Sequence, residues 1–394
     1  MERRSFLGMS LVGAAGVTVG ATGALAVHAI SDISSKGAVG NAMVPFHGTH
    51  QSGIESAPPG RGTLVAFDLR DDVDGAALQR LLRLWSTDAA LLQAGEPALA
   101  DAAAELAKAP SSLTVTIGLG WRAFVLAGVQ ERWPLEVHDI PAYSIDRLEE
   151  RWKGGDVVLQ ICANDATAVA HAVRELTRDA LPFATVRWQM SGWMPQPDVK
   201  PDETPRNLMG FKDGTANPGF GTDVFAKLVW NDGSRHAWFA GGTTMAVRRI
   251  RMDLRRWDQV PPLMQESAFG RHMVNGAPLG GTSEYQIPDF AAVDAAANPV
   301  IPRDAHVRRA HVASKILRRP FNYDDGYLDD GTPDSGLIFV AYGADIDQYL
   351  SIQASLADGD ALNRWTTPVG SALFVVPPGA PSAGHWVGET LFAS

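Results

Sequence analysis

Apolar positions change period several times along the chain, and each change marks an element. Residues 63–69, TLVAFDL, form a short apolar run after the breaker Pro58-Pro59-Gly60, which predicts a strand. From 74 to 93 the apolar residues Ala77, Leu78, Leu81, Leu82 and Trp85 fall on one face of a helix, and an alanine-rich stretch to 107 predicts a second helix. LTVTIGLG (113–120) reads as a strand, with a short helix starting at Trp121. Residues 156–161 read as a strand, 166–176 as a helix and 184–190 as a strand. Two β-α-β units with short strands fit a split βαβ sandwich on an antiparallel sheet. They fit a doubly wound parallel sheet less well, because the strands are not continuous Val/Ile runs. Gly118-x-Gly120 lacks the third glycine of a dinucleotide fingerprint.

Prolines 195, 197 and 201 predict a linker, and the pattern then starts again. Residues 243–254 read as a strand, 255–264 as helix-like, and 265–281 as a helix running into a glycine loop. A strand at 337–345, a helix at 346–357 and a strand at 371–380 close the chain. The expected organisation is α+β: a leader and loose N-terminus over 1–45, one α+β domain over 46–200 and a second over 201–394. No repeat at the level of residue identity accompanies the duplicated order of elements.

Length and composition sharpen this picture. A chain of 394 residues is too long for one small core, and 45% hydrophobic with 20% charged residues describes a globular protein. The net charge of −10 disfavours nucleic acid as a partner. The single cysteine, Cys162, excludes an intrachain disulfide and reads as a small core hydrophobe. The chain has no C-x-x-C-H, the motif through which a c-type cofactor is joined by thioether bonds. Arg3-Arg4, Ser5-Phe6-Leu7 and a weakly apolar run to the small-residue sites at 24–26 and 27–29 give a signal-peptide layout of the twin-arginine class. That route carries folded proteins, which suits a chain that takes up its cofactor in the cytoplasm. The expected destination is periplasmic, extracellular or cell-envelope.

The densest chemistry lies in IPRDAHVRRAHVASKILRRPFNY, residues 301–323. His306 and His311 sit among arginines, and Ile316-Leu317 precede Arg318-Arg319-Pro320. An imidazole for iron, apolar side chains for a flat face and arginines for carboxylates suit haem. In ETPRNLMGFKDGTANP (203–218) the turn signals Asp213-Gly214 and Asn217-Pro218 stand beside Leu208, Met209 and Phe211. Asp-Gly alone would be an ordinary turn; the apolar neighbours point to a loop folded over something apolar. His47 and His50 have H-x-x-H spacing, which without a third ligand reads as a loop feature.

These segments, together with FHGTHQSGI (46–54), VRRIRMDL (247–254), QESAFGRHMVNGAPLGG (265–281), LIFVAY (337–342) and VGSALFVVPPG (369–379), resemble the dye-decolourising peroxidases, in particular their twin-arginine-exported EfeB-like group. The resemblance spans nearly the whole mature chain. It implies two ferredoxin-like domains with antiparallel sheets, of the dimeric α+β barrel type, with non-covalent haem b in the second. It implies His306 of AHVR as the proximal iron ligand, Asp213 of GFKDG as the distal aspartate and Arg318 of ILRR as the distal arginine, with Arg319 as the alternative. His311 falls outside the ligand position. Pro320 stands where the family often has glycine. From position, Arg206, Lys212 and Arg308 are candidates for propionate contacts, Phe339 and Leu337 for the apolar wall, and Asp345 for the carboxylate behind His306.

The activity implied is reduction of hydrogen peroxide at the expense of small-molecule electron donors, including bulky dyes and phenols. Such donors would react at the surface, through some of the 11 Trp and 6 Tyr. Dimers or larger homo-oligomers are implied too, with the twin-arginine machinery as a transient partner. An ionised Asp213 predicts an acidic optimum. A second reading is a haem-handling protein that releases iron from haem, as a deferrochelatase does, or delivers haem. A third is an exported binding domain without cofactor.

Overall fold

The computed structural model describes residues 39–195 and 203–393. The leader, its paired arginines and most of the proline linker lie outside the described residues.

In the first half, β1 (Arg61–Leu69), β2 (Thr114–Leu119), β3 (Val157–Ala163) and β4 (Ala184–Trp193) pair antiparallel in the order β2-β3-β1-β4. Helices α1 (Gly75–Gln93), α2 (Trp121–Leu126) and α3 (Ala166–Ala180) connect them. Asp74 and Asp165 cap α1 and α3 by accepting backbone amides of the first turn. The alanine-rich stretch after α1 is not a second α-helix. Gly95, Pro97 and Pro110 break it into turns and a single 3-10 turn, Ala104–Leu106.

The second half repeats this order. Its strands are β5 (Thr243–Met252), β6 (Leu317–Arg318), β7 (Phe321–Tyr327), β8 (Pro333–Gly343) and β9 (Thr366–Val376). β9-β5-β8 pair antiparallel, and β6 and β7 both lie on β8. Leu317 faces Tyr342, Arg318 faces Ala341 and Phe321 faces Ile338, so β6 and β7 are one strand in one register, interrupted at Arg319-Pro320. Both halves are therefore ferredoxin-like. The helix-like signal over 255–281 resolves into a single turn, Leu254–Trp257, and α4 (Pro262–Phe269). Two further helices matter for the site: α5 (His306–Arg309) and α6 (Asp347–Ala357).

The two four-stranded sheets meet along two seams. Leu119 pairs with Val375 and Trp193 with Asn322, which joins all nine strands of the described residues into one sheet. Gln51 reinforces the first seam: its amide donates to the carbonyls of Ile117 and Pro377 and accepts from Ile117 N–H. Between the sheets, Leu64, Ala66, Val158, Cys162 and Met190 pack with Met245, Val247, Ile338, Val340 and Phe374. Behind the first sheet, the alternate residues Val65, Phe67, Val115 and Leu159 pack on α1 and α3. With both faces covered, β2 and β3 are buried along their whole length, which is why their sequences do not alternate.

A third cluster lies against the second half: Met209, Phe211, Met252, Trp257, Phe269, Leu337 and Leu362, with Phe339 packed beside it. The candidate site adjoins this cluster.

Candidate active site

His306 begins the four-residue helix α5, straight after Pro302 and Ala305. Gly270, left-handed at φ +79°, ends α4; a Cβ there would stand 2.5 Å from Val307 and 3.1 Å from Ala305, so only glycine lets the histidine segment pack this close. Phe269 meets the His306 ring edge-on with centroids 6.0 Å apart, and Phe211 stacks on Phe269 at 3.8 Å.

The carboxylate behind His306 is Asp360, not Asp345. Asp360 follows α6 and caps the 3-10 turn Ala361–Arg364: Oδ1 accepts from Leu362 N–H, while Oδ2 lies 2.5 Å from His306 Nδ1. Asp345 is spent at the other end of α6, where it accepts from Asp347 N–H and stands 3.6 Å from Arg235. The backbone holds the pair in place, because Ala361 N–H donates to Asp304 O at 2.8 Å. A carboxylate only accepts, so the ring proton sits on Nδ1 and Nε2 offers its lone pair. Burial works against a charged His306, yet the charge and hydrogen bond of Asp360 outweigh it and raise the pKa. His306 lies deep in the protein and still keeps 28% of its side chain open.

Asp213 and Arg318 lie near enough to His306 for both to act on its charge. Arg318 Nη1 lies 3.3 Å from Asp213 Oδ1, but off the direction of a hydrogen bond, so Oδ1 is buried with no donor. Oδ2 receives only a long contact from Asn207 Nδ2, 3.4 Å. Oδ1 of Asp213 therefore keeps acceptor capacity that no hydrogen-bond donor among the described residues meets.

The adjacent arginine serves another purpose. Arg319 is 5% exposed and donates to the carbonyls of Ile54, Ser56 and Ala57. Strand alternation sends Arg318 and Arg319 to opposite faces.

Leu337 and Phe339 lie two apart on β8, on the face that carries the third cluster. The three basic candidates are engaged with protein groups. Arg206 donates to the carbonyls of Gly210, Met273 and Val274. Lys212 is ion-paired with Glu284 at 2.5 Å. Arg308 donates to the carbonyls of Phe290 and Ile301. His311 is exposed beside Phe290. His50 stacks on Trp230 and bonds Gly241 O. Asp101, His171 and Glu175 converge under α3, but they are already paired, His171 with Asp101 at 2.9 Å and Glu175 with Arg178 at 2.6 Å.

Comparison with known proteins identifies the family. Residues 51–194 match the Dyp-type peroxidase N-terminal model and residues 204–381 the C-terminal model. This chain belongs to the Dyp-type peroxidase family. It is 38% identical to the dye-decolorizing peroxidase of Thermobifida fusca over 361 residues, 86% of this chain and 83% of that one. It is 35% identical to the deferrochelatase of Escherichia coli K12 over 374 residues, 89% and 88% of the two chains. The DyP-type peroxidase structure from Cellulomonas bogoriensis superposes with a TM-score of 0.87 at 45% identity, covering 90% of this chain and 99% of that one. The chain is thus a peroxidase, an oxidoreductase of a haem-dependent family.

The residues present fit haem. An imidazole with a fixed Nδ1 proton and an available Nε2 suits iron. The Phe211, Phe269, Leu337 and Phe339 side chains suit a flat apolar ring. Sequence reasoning missed Asp360. Its only local signal is that of a helix-capping aspartate in Gly359-Asp360-Ala361-Leu362; nothing in the order of residues brings it to a histidine 54 positions away.

Proposed function

We propose that the protein binds haem b without covalent attachment through His306, reduces hydrogen peroxide, and oxidises bulky organic donors such as dyes and phenols. The observation that carries this reading is the His306–Asp360 pair, which holds the ring proton on Nδ1 and leaves Nε2 as a ligand atom, with Asp213 and Arg318 near enough to act on the ring's charge. Bound there, haem iron would accept the oxidising equivalents of peroxide and return them to donors.

The chain's own residues would do the rest. Asp360 keeps the proton on Nδ1 and makes the imidazole a stronger donor. Asp213 takes the proton from one peroxide oxygen and gives it to the other. Arg318 meets the negative charge that builds on the leaving oxygen with its guanidinium. The aromatic wall keeps water off the iron-binding face. We further propose export by the twin-arginine route to the periplasm or cell envelope, resting on the arginine pair and apolar run at the N-terminus, and a homo-oligomeric state by analogy with the family.

The test is an absorption spectrum of purified protein, before and after one equivalent of peroxide, beside His306→Ala and Asp213→Asn. The expected result is a Soret band in wild type that is greatly weakened in His306→Ala. Asp213→Asn should keep the band and react with peroxide roughly 10²- to 10⁴-fold more slowly. The likeness to a deferrochelatase favours a second reading, iron release from haem. That reading predicts Asp213→Asn without effect and a wild-type spectrum that passes to iron-free porphyrin.

A further inference from the structure

Arg318 lies on a strand with a neighbour on one side only. β6 pairs with β8 through Leu317 and Arg318, and the run is then broken by Pro320, which has no amide hydrogen. On the open side a side chain takes the place of the missing strand. Asn217 Nδ2 donates to Arg318 O at 2.8 Å, and Asn217 Oδ1 accepts from Arg318 N–H at 2.9 Å, across 101 residues of sequence. One planar amide thus occupies both backbone groups of the distal arginine.

Asn217 is itself anchored to the aspartate. It lies four residues after Asp213, its N–H donates to Gly214 O at 2.9 Å, and Pro218 restricts its backbone to extended conformations. The Asp213 loop is fixed at its other end as well: Asp213 N–H donates to Pro205 O at 2.7 Å, and Glu284 gathers Lys212, Thr204 and Thr215. A backbone-anchored path between the carboxylate and the guanidinium, beside their own contact, therefore runs through Asn217. That contact is already off the hydrogen-bond direction at 3.3 Å, so a small shift of the Arg318 backbone changes it.

We propose that Asn217 is a positioning residue that sets the spacing and angle of Arg318 against Asp213, and through it the reaction with peroxide. This rests on the reading of those two residues as the distal pair. Asn217 touches no reacting atom and acts through Arg318 alone.

A double-mutant cycle on the haem-loaded enzyme tests it, with Asn217→Ala, Arg318→Ala and both together. Two readouts are taken: the second-order rate with hydrogen peroxide and the spectroscopic dissociation constant of cyanide. Asn217→Ala should slow the peroxide reaction roughly 10- to 100-fold and weaken cyanide in parallel, with haem content and the KM for the organic donor unchanged. In the Arg318→Ala background the same change should alter neither readout by more than about twofold, because the group it positions is gone. Equal losses in both backgrounds would overturn the proposal, since a merely structural role predicts them. A silent Asn217→Ala beside a slow Arg318→Ala would overturn the positioning role and leave the distal arginine standing. A silent Arg318→Ala would overturn both. Should Asn217→Ala fail to fold, Asn217→Asp keeps the acceptor for Arg318 N–H, loses the donor to Arg318 O, and runs the same cycle with a smaller expected loss.

Discussion

Asp179 offers a test of the structure away from the haem site. It lies on α3 against Asp88 of α1, and the two side chains are 8% and 1% exposed. Asp88 is already committed to Leu99 N–H through Oδ1, and Asp179 Oδ2 has no donor. Burial and the Asp88 charge push the Asp179 carboxyl up to about 7, although Arg178 opposes the shift. Three units above the ordinary carboxylate range, at about 1.4 kcal/mol each, sets a ceiling of about 4 kcal/mol. Part of that belongs to the pair, because one proton can serve either partner.

The sign follows from the direction of the shift. A carboxyl whose pKa is raised on folding contributes most stability below its unfolded value near 4, and loses it as pH rises through 7. Asp179→Asn removes the charge and supplies a donor to Asp88. The variant should therefore be roughly 2–4 kcal/mol more stable than wild type at pH 8 and about equal to it near pH 4. Denaturant unfolding of the two proteins across pH 4–8, followed by tryptophan fluorescence, measures the gap. A gap that does not widen between pH 5 and 8, or a variant less stable at pH 8, would refute a shared proton under α3.

Two further predictions concern the site and its support. Asp360→Ala should weaken haem binding roughly 10- to 100-fold in a titration of apo-protein by absorbance, while Asp345→Ala leaves it unchanged; equal effects would refute the assignment of the carboxylate. Arg319→Met should destabilise the fold by about 1–3 kcal/mol, since it strips donors from three carbonyls near the first-half loop. Arg318→Ala should leave unfolding nearly unchanged, and a reversal of that order in a denaturant titration would contradict the strand register.

The sequence carried the strands and helices wherever the period was local. The α1 face of Leu78, Leu81, Leu82 and Trp85 is buried as its spacing requires. It misled where a composition outweighed its breakers, as between Gly95 and Pro110, and where one helical signal over 255–281 contained Pro261 and Gly270. His306, Asp213 and Arg318 were named as a set through their motifs, and the fold brings Asp213 and Arg318 near enough to act on the charge of His306. Asp360 and Asn217 were not, because each acts on a residue more than fifty positions away through a contact that only the completed sheet creates. The propionate candidates were chosen for charge, and charge does not disclose that Arg206, Lys212 and Arg308 hold loops together.

The interrupted strand places an unusual restriction on how this region can evolve. Arg318 and Arg319 stand on opposite faces of one register, one beside Asp213 and the other clamping residues 54–57. A slip of this strand by one residue against β8 would turn each guanidinium to the opposite face, so that the clamp would leave residues 54–57 and the other arginine would leave Asp213. Because both are arginine, such a slip changes neither composition nor charge at this spot. Insertions and deletions between 312 and 317 can therefore accumulate freely only if the loop absorbs them before Leu317, and inside the strand they must come in pairs.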